Sequence, residues 1–263
     1  TVLKEVNEPA VVAVVEEMIS KGVTSIAVCL LNSYVNPINE QKIKEIIVRS
    51  FPALQVSISS EISPIIREYE RTIVTIINEY VRPKVMSHLK TLNEELVNHG
   101  FENEFEIVQS NGGVISPDVA IEQPVRLILS GPAGGVMGAS YIGKQLNNLN
   151  LITFDMGGTS SDVSLVREGR PEISKEEEIE WNVPISLPMV TVKTIGAGGG
   201  SIVWVDSGGV LKVGPASAGS KPGPACYGSG GTNPTVTDAH LLMGRLTEKG
   251  LLDGRLTLNK ELA

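Results

Sequence analysis

The sequence predicts an α/β protein with mixed sheets, divided into two domains. Three observations predict it. Residues 7–58 alternate helix-period segments with short apolar runs, the order of a parallel α/β layer. A long helical stretch follows over 66–99. After residue 110, glycine and other turn residues cluster between short alternating segments, the pattern of strand hairpins.

The elements follow in order. Residues 7–21 form a helix, with Val11, Val14, Val15, Met18 and Ile19 at helical spacing, Pro9 in the first turn and Gly22 as the stop. The apolar run 24–31 is a buried strand. Asn36 and Pro37 open a second helix, with Ile43, Ile46 and Ile47 on one face, and Pro52 ends it. Residues 54–58 alternate as a strand. Within 66–99, Pro83 removes a helix hydrogen bond and is expected to kink or divide the helix. Arg67, Glu68, Glu70 and Arg71 are spaced for a solvated, charge-paired face. His88 and His99 stand alone and read as surface residues. Residues 100–104 read as a linker, so the division is expected as 1–100 and 101–263.

In the second part, 105–109 and 126–129 read as strands, and Ser130 to Gly135 as a glycine-rich turn into a helix over 136–145. Such a turn is an anion site at a helix N-terminus, or a means of packing that helix tightly on its sheet; both readings stay open. The strongly acidic stretch 173–181, with Glu172 beside it, reads as a solvated segment. Residues 189–195, 202–205 and 210–213 read as strands. The stretch 215–234 is a long loop carrying Lys221, Cys226 and Tyr227, and 237–243 is a short helix with Asp238 and His240, where Thr237 or Asp238 is a candidate cap. For Cys226, Asp238 and His240, local packing and capping stands against a catalytic or metal role.

Composition excludes some functions. A formal net charge of −8 argues against nucleic acid or an anionic membrane as partner. The two cysteines, Cys29 and Cys226, form no disulfide framework or CxxC pattern, and a reducing cytoplasm fits them. No apolar run approaches the roughly 18 residues of a membrane span.

The stretch that carries chemistry is 154–166, Phe-Asp-Met-Gly-Gly-Thr-Ser-Ser-Asp-Val-Ser-Leu-Val. It reads as strand, tight turn, strand. Gly157 and Gly158 allow close approach of a ligand to the backbone, and Thr159, Ser160 and Ser161 add hydroxyl donors. A concavity of oriented N–H groups binds phosphate. Asp155 and Asp162 flank it, and two carboxylates beside a phosphate cradle suit Mg²⁺. The plain alternative is a β-hairpin whose Gly-Gly only turns the chain. The flanking acids and the hydroxyl run favour a phosphate site. It is neither a P-loop, since no Gly-Lys-Ser/Thr follows, nor a dinucleotide fingerprint, since a strand follows where a helix is needed.

This loop resembles the second phosphate loop of the actin, sugar-kinase and heat-shock chaperone ATPase superfamily. Four further motifs occur in the same order: Ser110 to Gly113, Leu129 to Val136, Gly196 to Ser201 and Lys221 to Gly228. Together they resemble the A subunit of the hydantoinase/5-oxoprolinase family over nearly the whole chain. The resemblance implies an actin-like (ribonuclease H-like) architecture, two domains around a nucleotide cleft, each contributing a phosphate hairpin. This sequence holds one such hairpin. It therefore resembles an internal piece, 1–100 ending the first domain with a connecting helix and 101–263 forming much of the second, with weak or no ATPase activity alone.

The resemblance further implies ATP and Mg²⁺ as cofactors, a small cyclic amide or imide as substrate and a B-type partner subunit. Asp155 would serve the metal, with Asp162 second for metal or for orienting water. Gly157, Gly158, Thr159, Ser160 and Ser161 would bind phosphate. Gly198, Gly199, Gly200 and Ser201 would meet the adenine, with Gly134 and Gly135 as rivals. Tyr69 and Arg71 would face the cleft. The expected reaction is ATP-dependent opening of a hydantoin- or 5-oxoproline-type ring. The alternatives are an acetone- or acetophenone-type carboxylase subunit and a non-catalytic actin-like nucleotide-binding module.

Overall fold

The computed structural model describes residues 4–180, 182–251 and 254–263. Its secondary structure begins with α1 (Glu8–Ser20), β1 (Ser25–Val28), α2 (Ile38–Ser50) and β2 (Gln55–Ile58). Asn7 caps α1, its side-chain oxygen accepting the Ala10 amide at 3.1 Å. Gly22 leaves the helix at φ +84°. Strands β1 and β2 pair in parallel, Ser25 with Gln55 through Val28 with Ile58, as the helix–strand alternation predicts. Val15, Val28, Ile47, Val56 and Ile58 form the core between them.

A short helix α3 (Ser59–Ile62) leads into α4 (Glu68–Asn98). Pro83 lies inside α4 and does not divide it. Arg71, Val74, Thr75, Asn78 and Glu79 are buried in its first half, whereas Leu89 alone is buried in the second. Arg71 is neither solvated nor open to a cleft. It is fully buried and donates to Ser59 Oγ and to the carbonyls of Ile65 and Leu30. These carbonyls end a strand and a loop, and a guanidinium, with five donors in a fixed fork, can tie both. Tyr69 is exposed and donates its hydroxyl to the Asn182 carbonyl at 2.7 Å. His88 and His99 lie at the surface, as expected.

The chain continues through β3 (Ile107–Val108), β4 (Val114–Ile115), α5 (Pro117–Glu122) and α6 (Ser130–Gln145). Two expectations fail here. Residues 124–127 form a 3-10 turn rather than a strand. Pro124 opens it with no amide to donate, and the Arg126 carbonyl accepts from the Ser110 amide and hydroxyl instead of a sheet neighbour. The presumed turn at Ser130 to Gly135 is the beginning of α6 itself.

Next come β5 (Leu151–Met156), β6 (Ser161–Arg167), β7 (Arg170–Pro171), β8 (Ile173–Ser174), β9 (Glu177–Glu180), β10 (Val183–Ile185), β11 (Met189–Val190), β12 (Lys193–Ile195), β13 (Ser201–Val205), β14 (Leu211–Ser217) and α7 (Val236–Leu242). The run 189–195 is two strands, because β11 pairs with β8 and β12 with β6. Within 172–180, β8 and β9 pair with β11 and β10, and Glu176 meets Arg67 at 2.9 Å. Trp181, the last residue of that acidic stretch, lies outside the residues the structure describes.

Two compact units result. One comprises 1–134 and 173–190; the other, 135–172 and 191–263. Residue 100 lies inside the first. That unit gains a second core when the chain returns to it, because Ile185, Leu187 and Met189 pack on Ile62, Val74 and Val125. The second unit is built on the antiparallel sheet β12–β6–β5, with a small core of Cys226, Leu241 and Leu258.

Candidate phosphate-binding site

The site lies in the second unit. Strands β5 and β6 pair in the register Asp155 with Asp162 and Met156 with Ser161. The turn between them closes with the Gly157 amide on the Ser160 carbonyl at 2.9 Å. On the other edge of β6, Ile195 pairs with Ser161, which brings the 196–200 loop beside this turn. Two sequence motifs almost forty residues apart therefore meet backbone to backbone. The Gly199 amide donates to the Gly157 carbonyl at 2.9 Å, and the Gly200 amide to the Gly158 carbonyl at 2.6 Å. A Cβ at Gly198 would stand 2.6 Å from Ser160 N, so only glycine fits.

These contacts orient the turn. In a trans peptide, the carbonyl of one residue and the amide of the next point in opposite directions. Holding the Gly157 and Gly158 carbonyls on one side turns the Gly158 and Thr159 amides to the other. The amides of Gly158, Thr159 and Ser160, and the hydroxyls of Thr159 and Ser160, bond to no group among the described residues. Adjacent unclaimed amides on exposed Gly158 and Thr159 are a donor set for an anion. Ser161 is different: it is buried, and its hydroxyl donates to the Ala197 carbonyl at 2.5 Å. Ser201 is also buried and accepts the Gly198 amide at 2.8 Å.

Asp155 and Asp162 face each other across the ladder, and Thr194 extends the row into β12. The Thr194 hydroxyl donates to Asp162 Oδ1 at 2.7 Å. Asp155 is exposed and has no hydrogen bond or ion pair among the described residues. Like charges directly opposite in a ladder repel, so a cation is the natural complement to this pair. No group of three or more metal-ligating side chains occurs among the described residues. Two carboxylates fit Mg²⁺, which keeps waters and phosphate oxygens, better than a cation needing a full protein cage.

Gly134 and Gly135 lie within α6 rather than in a turn. Added Cβ atoms there would stand 3.7 Å from Val108 Cγ1 and 4.0 Å from Asp155 Oδ2, respectively, ordinary van der Waals distances, so neither position needs glycine for space. Cys226 is fully buried; burial, then neighbouring Asp238, pushes its thiol up to about 12, so it is no nucleophile. Asp238 accepts the amides of Cys226 and Thr235 and the Thr235 hydroxyl, at 2.7 to 2.8 Å. Burial alone would raise its carboxyl, but bonds from Thr235 and Cys226 outweigh it and hold the carboxyl below the ordinary range. His240 is half-buried, its Nδ1 3.4 Å from an Arg245 nitrogen, and Lys221 is exposed.

The expectation that Thr237 or Asp238 caps α7 fails, and the role of Thr237 is different. The α7 cap is Thr235, in a capping box with Asp238. Thr237 instead directs both its amide and its hydroxyl, each at 2.8 Å, to the Gly199 carbonyl. The Thr-x-x-Asp spacing of 235 and 238 was the available signal that Thr235 caps and Thr237 is free for another partner.

The fold and site define an α/β protein with a glycine-lined hairpin beside paired carboxylates. The chain belongs to the hydantoinase/oxoprolinase family: its family model matches residues 71–263, and the model of the family's N-terminal region matches 1–51. The chain is 38% identical to the caprolactamase alpha subunit of Pseudomonas jessenii, over 98% of this chain and 37% of that protein. It is 38% identical to 5-oxoprolinase of Saccharomyces cerevisiae, over 93% of this chain and 19% of that protein. The crystal structure of the ATP-dependent caprolactamase superposes on the whole chain with TM-score 0.82 and 36% identity, covering 38% of its own length. A nucleotide-free acetone carboxylase structure superposes on 97% of the chain with TM-score 0.74 and 30% identity, covering 36% of its length. The chain thus spans well under half of each of these proteins.

Proposed function

We propose that this chain is the phosphate-holding part of an ATP-dependent enzyme that opens a cyclic amide, within an actin-like two-domain architecture. The observation that carries the reading is the row of unclaimed amides at Gly158, Thr159 and Ser160 beside unpaired Asp155. A family containing caprolactamase and 5-oxoprolinase supplies the substrate class. A lactam carbonyl is a poor electrophile; bound Mg·ATP would supply a phosphoryl group to its oxygen that activates the carbon to water, so that the ring C–N bond breaks with the nitrogen leaving as amine and ADP and phosphate are released. Phosphoryl transfer demands positioning and neutralisation of spread charge. Here the three amides would hold phosphate oxygens, Asp155 would hold Mg²⁺, and Asp162, already fixed by Thr194, would orient water. The 196–201 loop backs the hairpin. A partner subunit fits the subunit composition named for caprolactamase and the carboxylases. Two free cysteines fit a reducing cytoplasm.

A carboxylase reading has one specific support, the likeness to acetone carboxylase. One experiment separates them. The complete protein with its partner is incubated with Mg·ATP and either 5-oxoproline, caprolactam, or acetone with labelled bicarbonate. Ring-opened amino acid formed with ADP is the expected result. Label fixed from bicarbonate, without ring opening, would reject the hydrolase reading.

A further inference from the structure

We propose that Thr237 is a positioning residue for the phosphate cradle, acting through a relay of hydrogen-bonded peptides; this rests on the phosphate reading above. Thr237 donates its amide and hydroxyl to the Gly199 carbonyl, both at 2.8 Å. That carbonyl belongs to the peptide whose other end is the Gly200 amide, which points the opposite way and donates to the Gly158 carbonyl at 2.6 Å. The Gly158 carbonyl belongs in turn to the peptide that carries the unclaimed Thr159 amide. The path runs from Thr237, through the 199–200 peptide and the 158–159 peptide, to the anion. Every carbonyl–amide dipole along it has the same sense, so each bond polarises the next.

The Thr237 end of the relay is fixed. Thr237 sits in the first turn of α7, which Thr235 and Asp238 lock by reciprocal capping. Thr237 is buried, and its hydroxyl and amide both reach the Gly199 carbonyl. The glycines leave no slack: a Cβ at Gly199 would come within 2.9 Å of Thr237 Oγ1, and one at Gly200 within 3.0 Å of the Gly158 carbonyl. The hydroxyl of Thr237 therefore sets the direction of an amide more than one peptide away from it, without touching the ligand.

The test measures affinity of the complete protein for Mg·ATP and for adenosine, in wild type, Thr237→Val and Thr237→Ser. Valine keeps the branched shape and the amide but loses the hydroxyl donor. Thr237→Val should weaken Mg·ATP about three- to tenfold, the worth of one buried hydrogen bond. Adenosine affinity should stay unchanged, and Thr237→Ser should restore Mg·ATP affinity to within about twofold. A purely structural role would lower the melting temperature without separating the two ligands. If Thr237→Val does not fold, Thr237→Ala removes the same hydroxyl and should give the same selective loss. Wild-type Mg·ATP affinity in a folded Thr237→Val or Thr237→Ala protein overturns the relay alone. No Mg·ATP affinity in the wild type overturns the phosphate reading and the relay with it.

Discussion

Gly198 carries the tightest steric constraint in the hairpin region. Its missing side chain is what lets the 196–200 loop touch Ser160 and Thr159. Gly198→Ala should destabilise the protein by about 1–3 kcal/mol, the usual cost of overpacking against backbone, and weaken Mg·ATP with it. The same methyl at Gly158 meets no atom within 4 Å. Gly158→Ala should leave stability within about 0.5 kcal/mol of wild type, as surface changes do. Urea unfolding of the two variants checks the contrast. Asp238 makes a separate prediction. Its carboxyl titrates below its unfolded value of about 3.9, so its stabilisation is full above that value and fades as pH falls through the native value. Asp238→Asn should cost about 1.5–3 kcal/mol at pH 7, the worth of hydrogen bonds to a charged acceptor. Its deficit should shrink below pH ~4, where the wild type also loses the charge. A deficit constant down to pH ~2 would contradict the ionised cap.

Local elements were readable where one rule governed them. Asn7, Pro9 and Gly22 bracket α1, and the acids and glycines of 154–166 mark a hairpin that forms as read. The reading broke where long-range contacts decide. The glycines of 130–135 read as a turn because glycine favours turns, yet they continue α6; it is Gly143, already within the expected helix, that serves packing. A Cβ at Gly143 would stand 2.5 Å from Leu151 Cδ1 and 2.6 Å from the Asn148 carbonyl. A sequence window cannot see a strand arriving from residue 151. Pro83 is expected to kink or divide the helix; α4 runs undivided through it from Glu68 to Asn98. Its exposed position inside a helix carries an intrinsic cost of about 3 kcal/mol, offset by the restricted unfolded chain. Pro83→Ala should therefore raise stability by about 2 kcal/mol, seen as a higher urea midpoint at unchanged slope. No gain would mean that the helix bends there to bury other contacts.

For the molecule as a whole, the sequence motifs identified the family, and the alternation of helix and strand identified the α/β class. The division into units was not legible. Residues 173–190 leave the second unit and complete a core of the first, through Ile185, Leu187 and Met189. Burial by a distant partner has no local periodicity. The relay from Thr237 to Thr159 was hidden for the same reason, since it joins the first turn of α7 to two distant loops, mostly through backbone groups that every residue carries. The free amides could not be read from Gly-Gly-Thr-Ser-Ser either, because whether an amide is claimed depends on what the neighbouring loop takes. The central claim is that the hairpin holds a nucleotide phosphate with Asp155 at the metal. The measurement that tests it is isothermal titration of Mg·ATP into the complete protein and its Asp155→Ala variant. Asp155 is exposed and has no bond among the described residues, so the variant should fold as the wild type does. The account predicts at least about tenfold weaker binding in the variant, the loss of one charge-assisted metal contact. Equal affinity in the two proteins would contradict it.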